Sequence, residues 1–362
     1  MCTDPSFKGY SKFDCVVLGG GPAGAAAARL LSLAGARTQI LHFEQGRHRK
    51  GEILQGSYKR LLSALGISDG HRSTVAGSIS FWGDEPNLSS AISTAGGPDL
   101  LTDRQSFDSS ARDAACEAGA HLVPLTKLPV VTRSASGWEI EFGMGPRAAA
   151  SSCPLLLDCT GRRAYVARRF GQRRRLDRLI CRYHLATGDG LDRDERWILR
   201  PDASGWWFSV RVSANERVFC RFEDAPLVQS GGTWEFLTRT PELGDIAHRH
   251  GYRLVEHSNA DASTCISSSL APGLLAVGDA ALSIDPLSGQ GLGLALSQGV
   301  VAAAAALSHL EGTRRSLAEF RTLQEREAVR LVRERASAYS STKPEWKFSP
   351  FWLSRQHADT WH

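Results

Sequence analysis

The stretch Phe13-Asp14-Cys15-Val16-Val17-Leu18-Gly19-Gly20-Gly21-Pro22-Ala23-Gly24 decides the fold. Phe13 to Gly19 is a short apolar, β-branched run that ends in glycines, the pattern of a buried parallel strand. Pro22 to Leu33 is rich in Ala and Leu and predicts a helix, stopped by Gly35. Thr38 to Phe43 predicts a second strand. Strand, tight turn, helix and strand in that order form a βαβ unit, whose crossover makes the two strands parallel.

Working outward, Tyr58–Leu65 and Ser106–Ala118 predict helices, and residues 76–102, rich in Gly, Ser and Asn, predict irregular chain. Leu122–Thr132, Gly137–Phe142 and Leu155–Asp158 predict strands. Alternation in Trp206–Val212 and Arg217–Phe222 predicts half-buried antiparallel sheet. The first architecture returns at Gly273–Gly278, followed by a long helix from about Gly293 to Leu310 and a charged helical stretch from Arg314 to Tyr339. The tail carries Trp346, Phe348, Phe351 and Trp352.

Bulk properties narrow the function classes. The chain has 362 residues, 42% hydrophobic and 22% charged, as in an ordinary globular enzyme. No run approaches 18 unbroken apolar residues, so no membrane span is expected. Residues Met1–Lys12 lack the pattern of a signal peptide, so the expected location is cytoplasmic. The eight cysteines contain no Cys-x-x-Cys pair and no zinc spacing with His, so they read as buried reduced thiols and no metal is expected. The net charge of +5 is concentrated partly in Arg162–Arg178, which holds eight arginines. That run reads first as solvated surface and second as a patch for an acidic partner. No interleaved aromatic pattern or known module points to nucleic acid.

Gly19, Gly21 and Gly24 form a G-x-G-x-x-G between strand and helix. The first glycine permits the turn, the second lets backbone approach a pyrophosphate, and the third lets helix and strand pack closely. Pro22, Ala23 and Gly24 then start a helix whose free N–H groups suit phosphate. An acidic residue about 20 positions on should hold ribose hydroxyls. Glu44 stands 20 after Gly24, while the strand end itself falls at His42. A second strand end, Gly278-Asp279, leads through Asp285-Pro286-Leu287-Ser288-Gly289-Gln290-Gly291-Leu292 into a helix. Asp279 can accept bonds from a polyol, and the helix start can face an anionic ring edge.

The pair GGGPAG (19–24) and GDAALSIDPLSGQGLGLAL (278–296) resembles the glutathione-reductase-type FAD fold of aromatic hydroxylases, geranylgeranyl reductases and flavin-dependent halogenases. Gly51-Glu52-Ile53-Leu54, the Asp103-Arg104…Phe107-Asp108 segment and Asp158-Cys159-Thr160-Gly161-Arg162 resemble further motifs of the same superfamily. The resemblance implies FAD as cofactor. It implies an α/β fold, with a glutathione-reductase-type Rossmann-like domain, an inserted, mostly antiparallel β substrate domain and C-terminal helices. It places the ribityl chain on Asp279, the flavin against Pro286, Gly289, Gln290, Gly291 and Leu292, and Arg104 close to the cofactor; Gly278 precedes the aspartate. The expected division is an FAD domain of 1–75, 100–175 and 265–312, a substrate domain of 76–99 and 176–264, and a C-terminal segment of 313–362.

Within that superfamily, Gly205–Ser209, Phe81-Trp82-Gly83 and Ser349–Trp352 are similar to LodB- and GoxB-like flavoproteins encoded beside tryptophylquinone enzymes, and more distantly to QhpG-like ones. The halogenase signature W-x-W-x-I-P and its lysine are not found. The resemblance implies a monooxygenase that hydroxylates a tryptophan of a partner, an amine or amino-acid oxidase or dehydrogenase precursor, with O2 and a flavin C4a-hydroperoxide. Electrons would come from NAD(P)H bound transiently or from a separate flavin reductase, since no second glycine motif exists. Glu52, Trp82 and Gln290 are the candidate catalytic residues, with Glu52 as acid–base or fixed charge and Trp82, Trp206 and Trp207 as stacking surfaces. A small-molecule enzyme acting on an aromatic substrate (hydroxylase, halogenase or reductase) and a non-catalytic flavoprotein chaperone are the competing readings.

Overall fold

The structure is a computed structural model that describes residues 9–43, 50–91, 96–143, 148–225 and 232–357. Its centre is a five-stranded, all-parallel sheet in the order Leu274–Ala276, Leu155–Asp158, Cys15–Leu18, Thr38–Phe43, His121–Leu125. Cys15–Leu18 is buried throughout, as a strand covered on both faces must be. The chain leaves it to one side for Thr38–Phe43 and later returns on the other side as Leu155–Asp158. The C-terminal end of Cys15–Leu18 is therefore a topological switch point, where open α/β sheets form a ligand crevice.

The Pro22–Leu33 helix, predicted at these bounds, and the Gly291–Leu310 helix pack side by side against this sheet. Their approach needs small residues: a Cβ on Gly299 would stand 2.4 Å from the Ala23 carbonyl oxygen. By length and hydropathy (1.6 over 18 residues) Gly291–Leu310 would pass for a membrane span, but half of that window is buried inside the protein. A four-stranded sheet made of Gly9–Lys12, Ala149–Cys153, Gly137–Phe142 and Val130–Ser134 flanks the centre.

The second large sheet has seven strands in the order Arg253–Asp261, Leu179–Thr187, Glu216–Asp224, Gly205–Arg211, Trp197–Asp202, Gly77–Ser80, Asn87–Ser90. All its pairs are antiparallel except Trp197–Asp202 with Gly77–Ser80. Helices Thr233–Thr238 and Leu243–Arg249 cover one face, around Trp207, Phe219 and Tyr252. The end of the Ser316–Ser340 helix and the tail cover the other, around Trp206, Tyr339, Phe351 and Trp352.

Two sequence expectations are corrected, and one pair of helices is added. Residues 76–102 are not simply irregular: they hold the strands Gly77–Ser80, Asn87–Ser90 and Leu100–Thr102. Their small polar residues carry little strand signal, and partners distant in sequence, such as Trp197–Asp202, supply the pairing. The single strand expected over Leu122–Thr132 is two strands, His121–Leu125 and Val130–Ser134, in different sheets. The helices at 233–249, unread in the sequence, are short and gain their stability from packing rather than propensity. Seven of the eight cysteines lie in the described residues; all seven are free thiols and six are buried.

Candidate functional site

Three strand ends converge at the switch point. The Gly19 loop follows Cys15–Leu18, the Cys159–Arg163 loop follows Leu155–Asp158, and the Gly278–Ala280 turn follows Leu274–Ala276. The fit is too close for side chains. Gly19 has φ +111°, and a Cβ there would stand 2.2 Å from the Cys159 carbonyl oxygen. A Cβ on Gly24 would stand 1.9 Å from the Gly19 carbonyl oxygen. Gly21 is the opposite case: a Cβ there would meet nothing within 4 Å. Gly19 and Gly24 thus serve packing, and Gly21 opens the backbone to whatever lies over the helix start.

No side chain caps that helix and no acidic residue lies in its first turn. Pro22 has no N–H to satisfy, which leaves the Ala23 and Gly24 N–H groups, with the positive end of the helix, for a phosphate. The Gly291–Leu310 helix start, at Gln290, Gly291 and Leu292, likewise has no side-chain cap and no acidic first turn. Gly278, at φ +63°, lies between the two: a Cβ there would stand 2.9 Å from Ala23 Cβ and 3.6 Å from Ala295 Cβ. Its N–H donates to Gln298 Oε1 at 2.8 Å, which fixes the turn from below.

Asp279 follows. It lies deep in the cleft yet keeps 36% of its side-chain exposure, with Arg162 Nε at 3.6 Å. Burial raises its carboxyl above the ordinary range, while Arg162, Arg104 and Arg173 pull it back down. Arg104 bridges two carboxylates, Glu52 at 2.7 Å and Asp108 at 3.1 Å. Burial acts against its charge, and Glu52 and Asp108 more than offset that, so it stays a firm cation. Glu52, 41% exposed, is held by this pair as a fixed anion next to the cleft. Residues 52, 104, 162 and 279, far apart in the chain, are thus brought together.

Pro286, Leu287 and Ser288 form a one-turn 3-10 helix that ends at Gly289, φ +61°. Asp285 Oδ1 accepts from the Leu287 N–H at 3.0 Å. Its other oxygen accepts from Tyr339 Oη at 3.0 Å and Arg335 Nε at 3.2 Å. Burial raises the Asp285 carboxyl and Arg335 opposes the rise. Tyr339 Oη also accepts from Trp206 Nε1 at 3.0 Å. Gln290 is half-buried; its backbone N–H donates to Ser288 Oγ at 3.3 Å, and its side-chain amide makes no hydrogen bond among the described residues.

Other predicted residues lie elsewhere. Glu44 is outside the described residues. Trp82 is half-buried; its Nε1 donates to the Ala338 carbonyl at 2.7 Å, and its ring meets Trp352 and Tyr339 edge-on at 5.0 and 5.7 Å. Trp206 and Trp207 are both fully buried because both faces of their sheet are covered. The arginine run is not one surface. Arg162 donates to the carbonyls of Ser263 and Ile284 at 2.7 and 3.0 Å. Arg173 donates to the carbonyls of Ala280 and Asp279 at 2.9 and 3.1 Å, latching the Gly278–Ala280 turn. Both went unread as site residues because a guanidinium's partners here are carbonyls that no sequence spacing reveals. Asp158 is fully buried and accepts from Thr160 Oγ1, Val166 N and Ala167 N at 2.6–2.8 Å.

This architecture is the fold of FAD-dependent halogenases and monooxygenases. The chain aligns over 97% of its length with 87% of the myxobacterial chondrochloren halogenase CndH (TM-score 0.84, 20% identity). It aligns over 96% with 79% of QhpG, a peptidyl tryptophan dihydroxylase essential for tryptophylquinone cofactor biogenesis (TM-score 0.78, 21% identity). No family model matches the chain. In sequence it is similar to the FAD-dependent oxidoreductase LodB of Marinomonas mediterranea, 27% identical over 310 residues, 79% of this chain and 82% of LodB.

Proposed function

We propose that the chain is an FAD-dependent monooxygenase that hydroxylates a tryptophan side chain of a partner polypeptide during the making of its quinone cofactor. The observation that carries the FAD part is the Gly278-Asp279 turn wedged between two uncapped helix starts. Likeness to LodB in sequence supports FAD-dependent oxidoreductase chemistry, and likeness to QhpG in fold supports the choice of substrate.

The residues fit FAD. Ala23 and Gly24 N–H groups would take the pyrophosphate, Asp279 the ribityl hydroxyls, and Pro286–Leu292 one side of the ring. Bound FAD, once reduced, supplies O2 activation and transfer of one oxygen atom. Everything else falls to the chain. Arg104 holds the Glu52 carboxylate in place, giving a preorganised charge pair at the cleft. Asp285, clamped by Arg335 and Tyr339, fixes the turn against which the ring would lie. Glu52 would be the carboxylate, and Gln290 the hydrogen-bonding amide, offered to the substrate. Electrons would come from NAD(P)H or a separate flavin reductase. The free cysteines support a reducing compartment, the cytoplasm.

The test uses the full chain loaded with FAD, a reductant and O2. It is offered the unprocessed precursor of an amine or amino-acid oxidase encoded beside it, and separately free tryptophan. The proposal expects the precursor, not the amino acid, to gain the mass of oxygen at tryptophan. Oxygenation of free tryptophan alone would replace it with the small-molecule reading. Halogen incorporation when halide is present would replace it with a halogenase. Stabilisation of the precursor without any mass gain would leave a chaperone.

A further inference from the structure

Glu52 is held from two directions. Its strand, Glu52–Leu54, pairs with Leu100–Thr102, which leads directly to Arg104, the partner of its carboxylate. Those grips belong to one side of the cleft. The residues just before Glu52 reach across to the seven-stranded sheet. The Lys50 N–H donates to Tyr183 Oη at 3.1 Å. Lys50 Nζ donates to both carboxylate oxygens of Glu216, at 2.9 and 2.8 Å. Glu216 opens the strand Glu216–Asp224 and is braced by Ser213, whose Oγ donates to its Oε2 at 3.2 Å. Gly51 lies against the sheet at φ +88°, and a Cβ there would stand 3.2 Å from Val218 Cβ and 3.3 Å from Val210 Cγ1. Glycine suits that backbone and that close approach. Ile53 packs into the same apolar cluster as Val210 and Val218. Lys50, Gly51 and Ile53 are thus fixed to the sheet, and Glu52 among them faces Arg104.

Resting on the role given to Glu52 above, we propose that Lys50 and Glu216 are positioning residues for Glu52. Their ion pair ties the start of its strand to the seven-stranded sheet, so that the carboxylate is set against both sides of the cleft at once. Arg104 alone fixes it to one side only. The pair leaves 37% of the Lys50 side chain and 23% of the Glu216 side chain exposed, and pairs of that kind add little to folding stability. Its effect is local. It removes freedom from a short segment whose carboxylate must be aligned closely with a reacting group, where a small misplacement costs much rate.

The test uses Lys50→Met, Glu216→Gln and the charge swap Lys50→Glu with Glu216→Lys, each in the full chain. Hydrogen exchange on the flavin-free chain reads the segment without any turnover. Amides of residues 50–54 are expected to exchange about tenfold faster in the two single variants, with thermal unfolding close to wild type, and to regain most of their protection in the swap. On the FAD-loaded chain with reductant and O2, oxygenation of the precursor tryptophan is expected to slow about tenfold in Lys50→Met. In a Glu52→Gln background the same substitution should slow it no further, because the pair acts through Glu52. Unchanged exchange at 50–54 in both single variants would overturn the proposal. So would an equal further slowing in the Glu52→Gln background, which would show a structural role independent of Glu52. A wild-type chain that oxygenates nothing would remove the monooxygenase reading, and with it the role of Glu52, even where the exchange result confirms the tie.

Discussion

The two large sheets solve opposite problems. At the parallel sheet's switch point, two helix starts are left uncapped, Gly21 is left without a neighbour, and a carboxylate, Asp279, keeps access to the cleft. Unsatisfied polar groups are kept there because a ligand would satisfy them. In the seven-stranded sheet the buried arginines are instead paired with carboxylates, although Trp207 Nε1 has no hydrogen-bond partner among the described residues. Arg217, fully buried, is bound by Asp192 at 2.8 Å, and Arg221 by Asp202 and Glu223. Trp206 stacks on Phe222 at 3.9 Å, and Trp352 donates its Nε1 to the Asp202 carbonyl at 2.8 Å. The lesson is that the parallel sheet leaves uncapped helix starts at its switch point, while the aromatic-rich region, which attracts attention in sequence, is filled by its own tail.

The largest effect expected from breaking this contrast is at Gly24. Gly24→Val puts side-chain atoms into the Gly19 carbonyl, where nothing flexible can yield. Loss of the folded state is expected, about 4 kcal/mol or more, read as loss of cooperative thermal unfolding. Gly21→Ala, three residues earlier, meets nothing; the same scan should leave its stability near wild type and its FAD affinity reduced.

Trp352→Ala attacks the filled region. The ring is fully buried among Trp82, Tyr339 and Phe351, and its removal is expected to cost about 3–5 kcal/mol in urea denaturation. Affinity for FAD, measured on the folded fraction, should hardly move. A comparable loss of FAD affinity would mean that the two regions are coupled more tightly than their contacts imply.

A third difference is pH. His184, packed between Trp207 and Trp234, has its pKa lowered from 6.5 to about 4, chiefly by burial, with His257 and Arg182 adding to the effect and the Phe219 and Arg182 backbone opposing it. The unfolded chain therefore takes up a proton as pH falls below 6.5, while the folded chain resists until about 4. Stability is complete above the higher value and declines through that window, by about 3 kcal/mol at the acid end. His184→Gln should flatten this part of the stability-against-pH curve; an unaltered slope would show that His184 is not its source.

The smallest effect lies where the two regions meet. Among the described residues, Tyr339 is the one side chain that bonds both Asp285, beside the cleft, and Trp206, in the sheet. Tyr339→Phe is expected to lose about 1–2 kcal/mol and to shift the absorption bands of bound flavin, because the Asp285 turn loses a support. The shift without a matching loss of FAD affinity would mark Tyr339 as a positioning residue.

How much of this was legible beforehand follows from distance along the chain. The Gly19–Gly24 turn, its helix and the Thr38–Phe43 strand are local, so period, glycine spacing and a helix stop were enough to place them. The strand over Leu122–Thr132 was misread because its apolar pattern continues across the point where the chain changes sheets. The Asn87–Ser90 strand was missed because it is exposed and polar, and exists through pairing with Gly77–Ser80.

By itself the sequence determined the βαβ unit, the two glycine turns and the kind of group they suit, since each depends on residues within reach of one another along the backbone. Only the tertiary structure decided that Glu52 faces Arg104, that Arg162 and Arg173 grip backbone carbonyls, and that the tail's Trp352 fills the aromatic face of the sheet. Those outcomes depend on which distant surfaces meet, and burial, not local spacing, sets the partners a charged or aromatic side chain must find.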